Sequence, residues 1–224
     1  LVQGFAGPTL YLTNGTMVPA NAPVYGPPLV GGVGRALTLI SASSAFGPNP
    51  IILHDAYPWS MYIGAWFITS NVCIRCWVQI DETLVPGQAI FKAIVGSRGP
   101  DVWGPSRPPE IAYGFYAYSE DGITLKIRAI LTTAPSWTTL VNAPQFGDQH
   151  TINSSAVTPG VPINIELDYN GSFFDFYVNG VNQGHVAASG PVMRAPWEGT
   201  TIGWAGPEIS DTGGWYIRSF GGSI

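Results

Sequence analysis

Charge is scarce in this chain. Lys and Arg number 9 and Asp and Glu 14 in 224 residues, giving a formal net charge of −5. So few scattered cations cannot build the basic patch that a phosphate backbone demands, which excludes nucleic acid as a partner. Long apolar runs are also missing: nothing reaches the roughly 20 residues of a membrane-spanning helix, so no membrane span is expected. No stretch longer than two turns carries a helical period. Cysteine is limited to Cys73 and Cys76. They fall three apart in a strand-like segment, which aims them at opposite faces about 10 Å apart. That is too far for a disulfide, and no second pair exists to complete a zinc ribbon. Two reduced thiols are expected.

Catalytic signatures are absent too. There is no Gly-x-Ser-x-Gly, no phosphate loop ending in Gly-Lys-Ser/Thr and no His-Glu-x-x-His. His54, His150 and His185 have no metal-ligand spacing, and His54 and Asp55, as neighbours in extended chain, point opposite ways. The chain opens on Leu1 without a basic, signal-like start and is read as an excerpt or a processed product.

What the chain does have is aromatics, at 12%, and 28 Gly with 20 Pro spread evenly along it. That punctuation describes many short strands. A chain of this length buries a full core without a metal or disulfide staple and reads as one all-β domain. Strands are predicted near 37–40, 62–69, 72–80, 89–95, 111–118, 123–131, 200–204 and 215–220, with a hairpin over 161–178 and Ser119–Gly122 closing another. The clearest segment is VPINIELDYNGSFFDFYVNGV. Val161, Ile163, Ile165, Leu167 and Tyr169 alternate with Pro162, Asn164, Glu166 and Asp168, and Asn170-Gly171 suits a two-residue type I′ turn. That turn would set Leu167 opposite Phe174, Ile165 opposite Phe176 and Ile163 opposite Val178. Spacing of this kind without crossover helices means an antiparallel two-sheet sandwich or barrel.

Residues 1–35 differ, mixing Pro, Gly and small residues without lasting alternation. They are read as an extended arm or connector ahead of a domain spanning 36–224, able to reach neighbouring copies or other coat proteins.

The order of pieces in the last third resembles the concanavalin A-like lectin/glucanase superfamily, in its laminin-G-like and pentraxin-like branches. The residues that carry the resemblance are Phe176-Tyr-Val-Asn-Gly-Val181, Thr201-Ile-Gly-Trp204 and Trp215-Tyr-Ile-Arg218, with Ala65-Trp-Phe67 and Tyr113-Gly-Phe-Tyr116 upstream. The resemblance implies a jelly-roll of two curved sheets that is glycan-binding, hydrolytic or adhesive in different members.

Laminarinase-like members carry a Glu-x-Asp-x-(x)-Glu strand, and Ile165-Glu166-Leu167-Asp168-Tyr169-Asn170 resembles its first half, with Asn170 in place of the second glutamate. Retaining hydrolysis requires two carboxyls about 5–5.5 Å apart, and Glu166 and Asp175 are the candidates if they face each other across the hairpin. Glu166, Asp168 and Asp175 are also the weak candidates for a calcium site, but three carboxylates on one flat strand face fall short of six to eight oxygens. No cofactor is expected, with calcium the alternative. Sequons occur at Asn14, Asn153 and Asn170.

The aromatics supply the functional expectation. Trp103, Trp137 and Trp197 lie in Pro/Gly-flanked segments, with Arg107, Asn142 and Asp148 among the polar neighbours. An indole plane beside polar side chains suits a sugar ring; the same residues suit a subunit interface. Trp66, Trp77 and Trp204 fall within strands and are expected in the core. Low charge, abundant aromatics, an irregular arm and no catalytic set describe a non-enzymatic surface module of a virion, homo-oligomeric, for assembly or host glycan recognition. The alternatives are an extracellular carbohydrate-binding or adhesion domain and, third, a glycoside hydrolase.

Overall fold

The computed structural model describes residues 24–26, 29, 36–39, 51–53, 67–69, 71–98, 111–133, 148–194, 200–202, 218–219 and 222–223. They form sixteen strands: β1 (Val24–Gly26), β2 (Ala36–Leu39), β3 (Ile51–Leu53), β4 (Phe67–Thr69), β5 (Val72–Ile80), β6 (Ile90–Arg98), β7 (Ile111–Ser119), β8 (Lys126–Thr133), β9 (Asp148–Asn153), β10 (Ile163–Tyr169), β11 (Phe173–Val178), β12 (Val181–Ala187), β13 (Val192–Arg194), β14 (Thr200–Ile202), β15 (Arg218–Ser219) and β16 (Gly222–Ser223). No helix occurs among the described residues. A seven-stranded sheet runs β1-β2-β16-β5-β10-β11-β12, and a nine-stranded sheet runs β3-β14-β6-β7-β8-β13-β4 with β15 beside β6 and β9 beside β8. Every pairing is antiparallel except the short β15–β6 contact. The molecule is the expected all-β jelly-roll sandwich. Val24–Gly26, within the segment expected to be an arm, pairs with β2 as an edge strand.

The core lies between the sheets. Alternate residues of β10 (Ile163, Ile165, Leu167, Tyr169) and of β11 (Phe174, Phe176) turn inward to meet Ile94, Phe115, Ile127, Ala129 and Leu131 of the other sheet. Phe115 and Phe176 meet across the sandwich with ring centroids 5.7 Å apart. Each fully buried side chain of this size is worth about 1.5–3 kcal/mol. The buried Tyr169 ring keeps its hydroxyl satisfied by donating to the Gly190 carbonyl at 2.5 Å. Gly184 lets β12 close against β9, since a Cβ there would fall 2.7 Å from Ile152 Cγ2.

The hairpin register departs from the sequence expectation. Leu167 pairs with Phe176, Ile165 with Val178 and Tyr169 with Phe174, a slip of two residues. Two is the side-chain period, so the inward set is unchanged. Asn170 takes an ordinary negative φ and its Oδ1 accepts from the Ser172 and Phe173 amides, which makes the loop between β10 and β11 the three residues Asn170–Ser172. The two-residue turn sits one hairpin later. Asn179 and Gly180 have φ of 50° and 76°, both positive as type I′ requires, and they join Val178 to Val181.

Candidate functional site

Most residues expected to form the site, Trp103, Arg107, Trp137, Asn142 and Trp197, lie outside the described residues, as do His54, Asp55, Trp66 and Trp204. Asp148 is exposed and opens β9. Arg98 pairs with Ile111 and Thr133 pairs with Asp148, so the strand ends flanking 99–110 and 134–147 lie at one end of the nine-stranded sheet.

The acidic candidates occupy the outer face of the seven-stranded sheet. Cross-strand register makes one row of Cys73, Asp168, Asp175 and His185, and a second of Arg75, Glu166 and Tyr177. Glu166 therefore faces Arg75 and Tyr177 rather than Asp175, because of the two-residue slip. Glu166 Oε2 lies 2.5 Å from Arg75 Nη2, and Asp175 Oδ1 lies 2.7 Å from His185 Nδ1 and 3.2 Å from Asn182 Nδ2. His185 also stacks on Phe173, with centroids 4.4 Å apart. Among the described residues no three His, Cys, Asp or Glu side chains gather as a metal-binding group. Trp77 belongs to this outer face and is 43% exposed, which corrects its expected core position: Cys76 and Val78 on either side take the inward places. Cys73 is exposed and Cys76 faces inward, both as free thiols. Burial pushes the Cys76 thiol up to about 12.

The outer face of the nine-stranded sheet is built differently. Register places Phe91 opposite Tyr118, Ala93 opposite Tyr116, Tyr118 opposite Lys126, Tyr116 opposite Arg128, and Arg128 opposite Asn153. Ala93 is small enough for Phe91 to reach diagonally over Tyr116, and the two rings stack at 4.8 Å and 15°. Phe91 meets Tyr118 edge-on at 6.5 Å. The Arg128 guanidinium lies 3.5 Å above the Tyr118 ring, and its Nε donates to Asn153 Oδ1 at 2.8 Å. The Tyr118 hydroxyl donates to the Glu120 carboxylate. Ala93, Tyr116 and Ile130 form a second apolar cluster, separate from the core.

Tyr116 is the anomaly of this face. Its side chain is fully buried, yet its hydroxyl has no hydrogen-bond partner among the described residues. Burial pushes that hydroxyl well above the ordinary phenol range. A buried polar group without a partner costs about 1–3 kcal/mol, so its presence calls for a reason.

Beside the platform, a pocket lined by Tyr118, Ser119, Glu120, Asp121, Thr124 and Lys126 opens at the β7–β8 turn. The turn is rigid. Asp121 Oδ1 accepts from the Thr124 and Ile123 amides and from Ser119 Oγ, which holds its carboxyl below the usual range. Gly122 has φ +66°, and a Cβ there would overlap the Val85 carbonyl.

None of the platform residues Phe91, Tyr118 or Arg128 was marked by the sequence reading, and Tyr116 entered it only within the Tyr113–Tyr116 resemblance. The available signal is the β7 sequence IAYGFYAYS. Aromatics stand on both alternating sets, which a strand with one solvated face does not show.

No family model and no curated protein matches the chain. Solved structures do. The carbohydrate-binding module CBM40 of the Ruminococcus gnavus IT-sialidase, bound to α2,3-sialyllactose, superposes with TM-score 0.50 and 12% identity over 84% of this chain and 85% of that one. A heptameric pentraxin from Limulus polyphemus gives TM-score 0.43 and 13% identity over 70% and 61%. The enzymatically active domain of tailspike protein 2 from bacteriophage CBA120 gives 0.44 and 14% over 90% and 26%. The fold is the concanavalin A-like jelly-roll that the sequence resembles.

Proposed function

We propose that this chain is a non-enzymatic glycan-recognition module that binds saccharides on the outer face of β6, β7 and β8. The half-exposed aromatic surface of Phe91 and Tyr118, with the Arg128 guanidinium over the Tyr118 ring, carries the reading. A sugar ring offers an apolar C–H face to aromatic planes and hydroxyls to polar side chains, so one ligand covers the Phe91–Tyr118 surface. The opposite face gives catalysis no support. Its Asp168–Asp175 pair stands on an open strand face, and the partner of Asp175 is His185.

The setting proposed is the surface of a virion or, as the alternative, an extracellular adhesion or carbohydrate-binding protein. Low charge and abundant aromatics support it, with attachment through the segment ahead of the sandwich to neighbouring copies or other coat proteins. A glycan array on the purified chain, with and without calcium and beside a reducing-sugar assay, tests the reading. Specific, calcium-independent hits without sugar release are expected. Sugar release would make the chain a hydrolase, and a blank array on folded protein would move it to an assembly role. Deleting residues 1–23 tests the attachment: the sandwich should stay folded while particle association is lost.

A further inference from the structure

We infer that Asn170 is a self-modifying site: the Gly171 backbone nitrogen attacks the Asn170 side-chain carbonyl carbon and converts the asparagine to an aspartyl residue, while Asn179, in the same dipeptide one turn later, is held back. The site lies on the β10–β11 loop and is independent of the glycan reading above.

Asn-Gly occurs at 14–15, 170–171 and 179–180, and the first of these lies outside the described residues. Glycine has no side chain to shield its nitrogen, so in a free chain the two described pairs are chemically alike. Both asparagines are exposed, so access of water does not separate them. Their hydrogen bonds do. Asn179 sits in the type I′ turn with φ of 50° and is clamped twice to Asn164 of β10. Its backbone N–H donates to the Asn164 carbonyl at 2.8 Å, and its Oδ1 accepts from the Asn164 N–H at 2.8 Å. Asn164 is anchored in turn, its Nδ2 donating to the Cys76 carbonyl of β5 at 3.2 Å. Bringing the Asn179 carbonyl carbon to the Gly180 nitrogen therefore means breaking bonds to a strand inside the sheet.

Asn170 is tied to its own loop. Its Oδ1 accepts from the Ser172 N–H at 3.0 Å and from the Phe173 N–H at 2.9 Å, the two amides that directly follow Gly171. Two donors on a carbonyl oxygen stabilise the negative charge that builds there when a nucleophile adds to the carbon. The attacking nitrogen belongs to the same short loop, so the step is intramolecular and the donors move with it. The Gly171 nitrogen loses its proton and bonds to Asn170 Cγ. The Cγ–Nδ2 bond breaks, ammonia leaves with that proton, and a cyclic succinimide remains. Water then adds to one ring carbonyl and opens it to aspartate or isoaspartate, with nothing oxidised or reduced. The β7–β8 turn supplies an independent observation, because the bonds of the product already exist there. Asp121 precedes Gly122 as Asn170 precedes Gly171, and the two glycines have φ of 66° and 92°. Asp121 Oδ1 accepts from the Ile123 and Thr124 amides at 2.8 and 2.9 Å. This fold therefore closes the same pair of bonds around a carboxylate, whose charge strengthens them. Each conversion adds a negative charge at the end of the strand pair that carries Asp168 and Asp175.

The test uses the full chain, kept folded at mildly alkaline pH in heavy-oxygen water and followed by peptide mass spectrometry, beside the same chain unfolded in urea. Incorporated heavy oxygen marks conversion during the incubation and sets aside older product. In urea the two sites should react within about twofold of each other, since the dipeptide is the same and the native bonds are gone. In the folded chain Asn170 should convert at least about fivefold faster than Asn179. Asn170→Asp should leave the melting temperature within about 2 °C of the unaltered chain, as the Asp121 loop implies. Equal rates at the two sites in the folded chain, or a faster Asn179, would overturn the assignment. An Asn170 that reacts in urea but stays unmodified in the folded chain would overturn the role given to the Ser172 and Phe173 amides, and the inference with it. A larger fall in the melting temperature of Asn170→Asp would show that the loop does not accept the product.

Discussion

The two sheets turn opposite kinds of surface outward. On the seven-stranded sheet the outward residues of β10 are Asn164, Glu166 and Asp168, each half-buried or exposed, and the neighbouring charges are answered: Arg75 by Glu166, Asp175 by His185 and Asn182. On the nine-stranded sheet the outward residues of β7 are Tyr116 and Tyr118, stacked with Phe91, with the Arg128 guanidinium lying over the Tyr118 ring and held by Asn153. A face that satisfies itself has no physical need of a ligand. A face of half-exposed aromatic rings beside a planar cation offers apolar surface that a ligand can cover. The aromatic surface, more than the number of polar residues, separates the proposed binding face from the solvated one.

That contrast can be broken by paired substitutions. The largest effect is expected from Phe91→Ala, which removes the centre of the aromatic floor and should lower glycan affinity about tenfold by calorimetry. Trp77→Ala on the other face should leave affinity unchanged, and equal losses from the two would erase the distinction. Tyr116→Phe should separate stability from binding. Removing the orphaned hydroxyl should raise the melting temperature by a few degrees, roughly the shift for 1 kcal/mol in a domain of this size, while the Phe91 stack and the surface it presents stay in place and glycan affinity changes less than about twofold. A lower melting temperature would mean that the hydroxyl is satisfied in solution. Glu166→Gln should cost less than about 1 kcal/mol, since Arg75 is largely exposed and water screens the pair. It should not change glycan binding; a loss there would move the site to the acidic face. The smallest effect concerns the thiols. Iodoacetamide at about pH 8 should label Cys73 once and leave Cys76 intact in the folded chain, because burial holds the Cys76 thiol near 12. Rapid double labelling seen by mass spectrometry would contradict the inward placement of Cys76.

The seven-stranded sheet was the legible half in the sequence, and for the same physical reason. INIELDY alternates strictly because one side meets the core and the other meets water, so strand, face and neighbouring hairpin could all be read from it. Register was harder. Two Asn-Gly pairs lie nine residues apart, and slipping by two leaves every side chain on its face, so the pattern could not say which pair makes the tight turn. β9 and β12 escaped notice because DQHTIN and VNQGHVA carry few large apolar residues to mark an inward side. The candidate site was hidden by a different effect. IAYGFYAYS and KIRAILTT are apolar on both sides, which conceals the alternation and makes Tyr116, Tyr118 and Ile130 look like core. Only the pairing of β6, β7 and β8 shows that these residues point away from it.

Chemical-shift mapping of the isotope-labelled chain during titration with an oligosaccharide that the glycan array selects tests the central claim most directly. Perturbations confined to Phe91, Tyr116, Tyr118, Lys126 and Arg128 are the predicted result. Shifts gathered on Arg75, Trp77, Glu166 and Tyr177 would place recognition on the opposite sheet and contradict it.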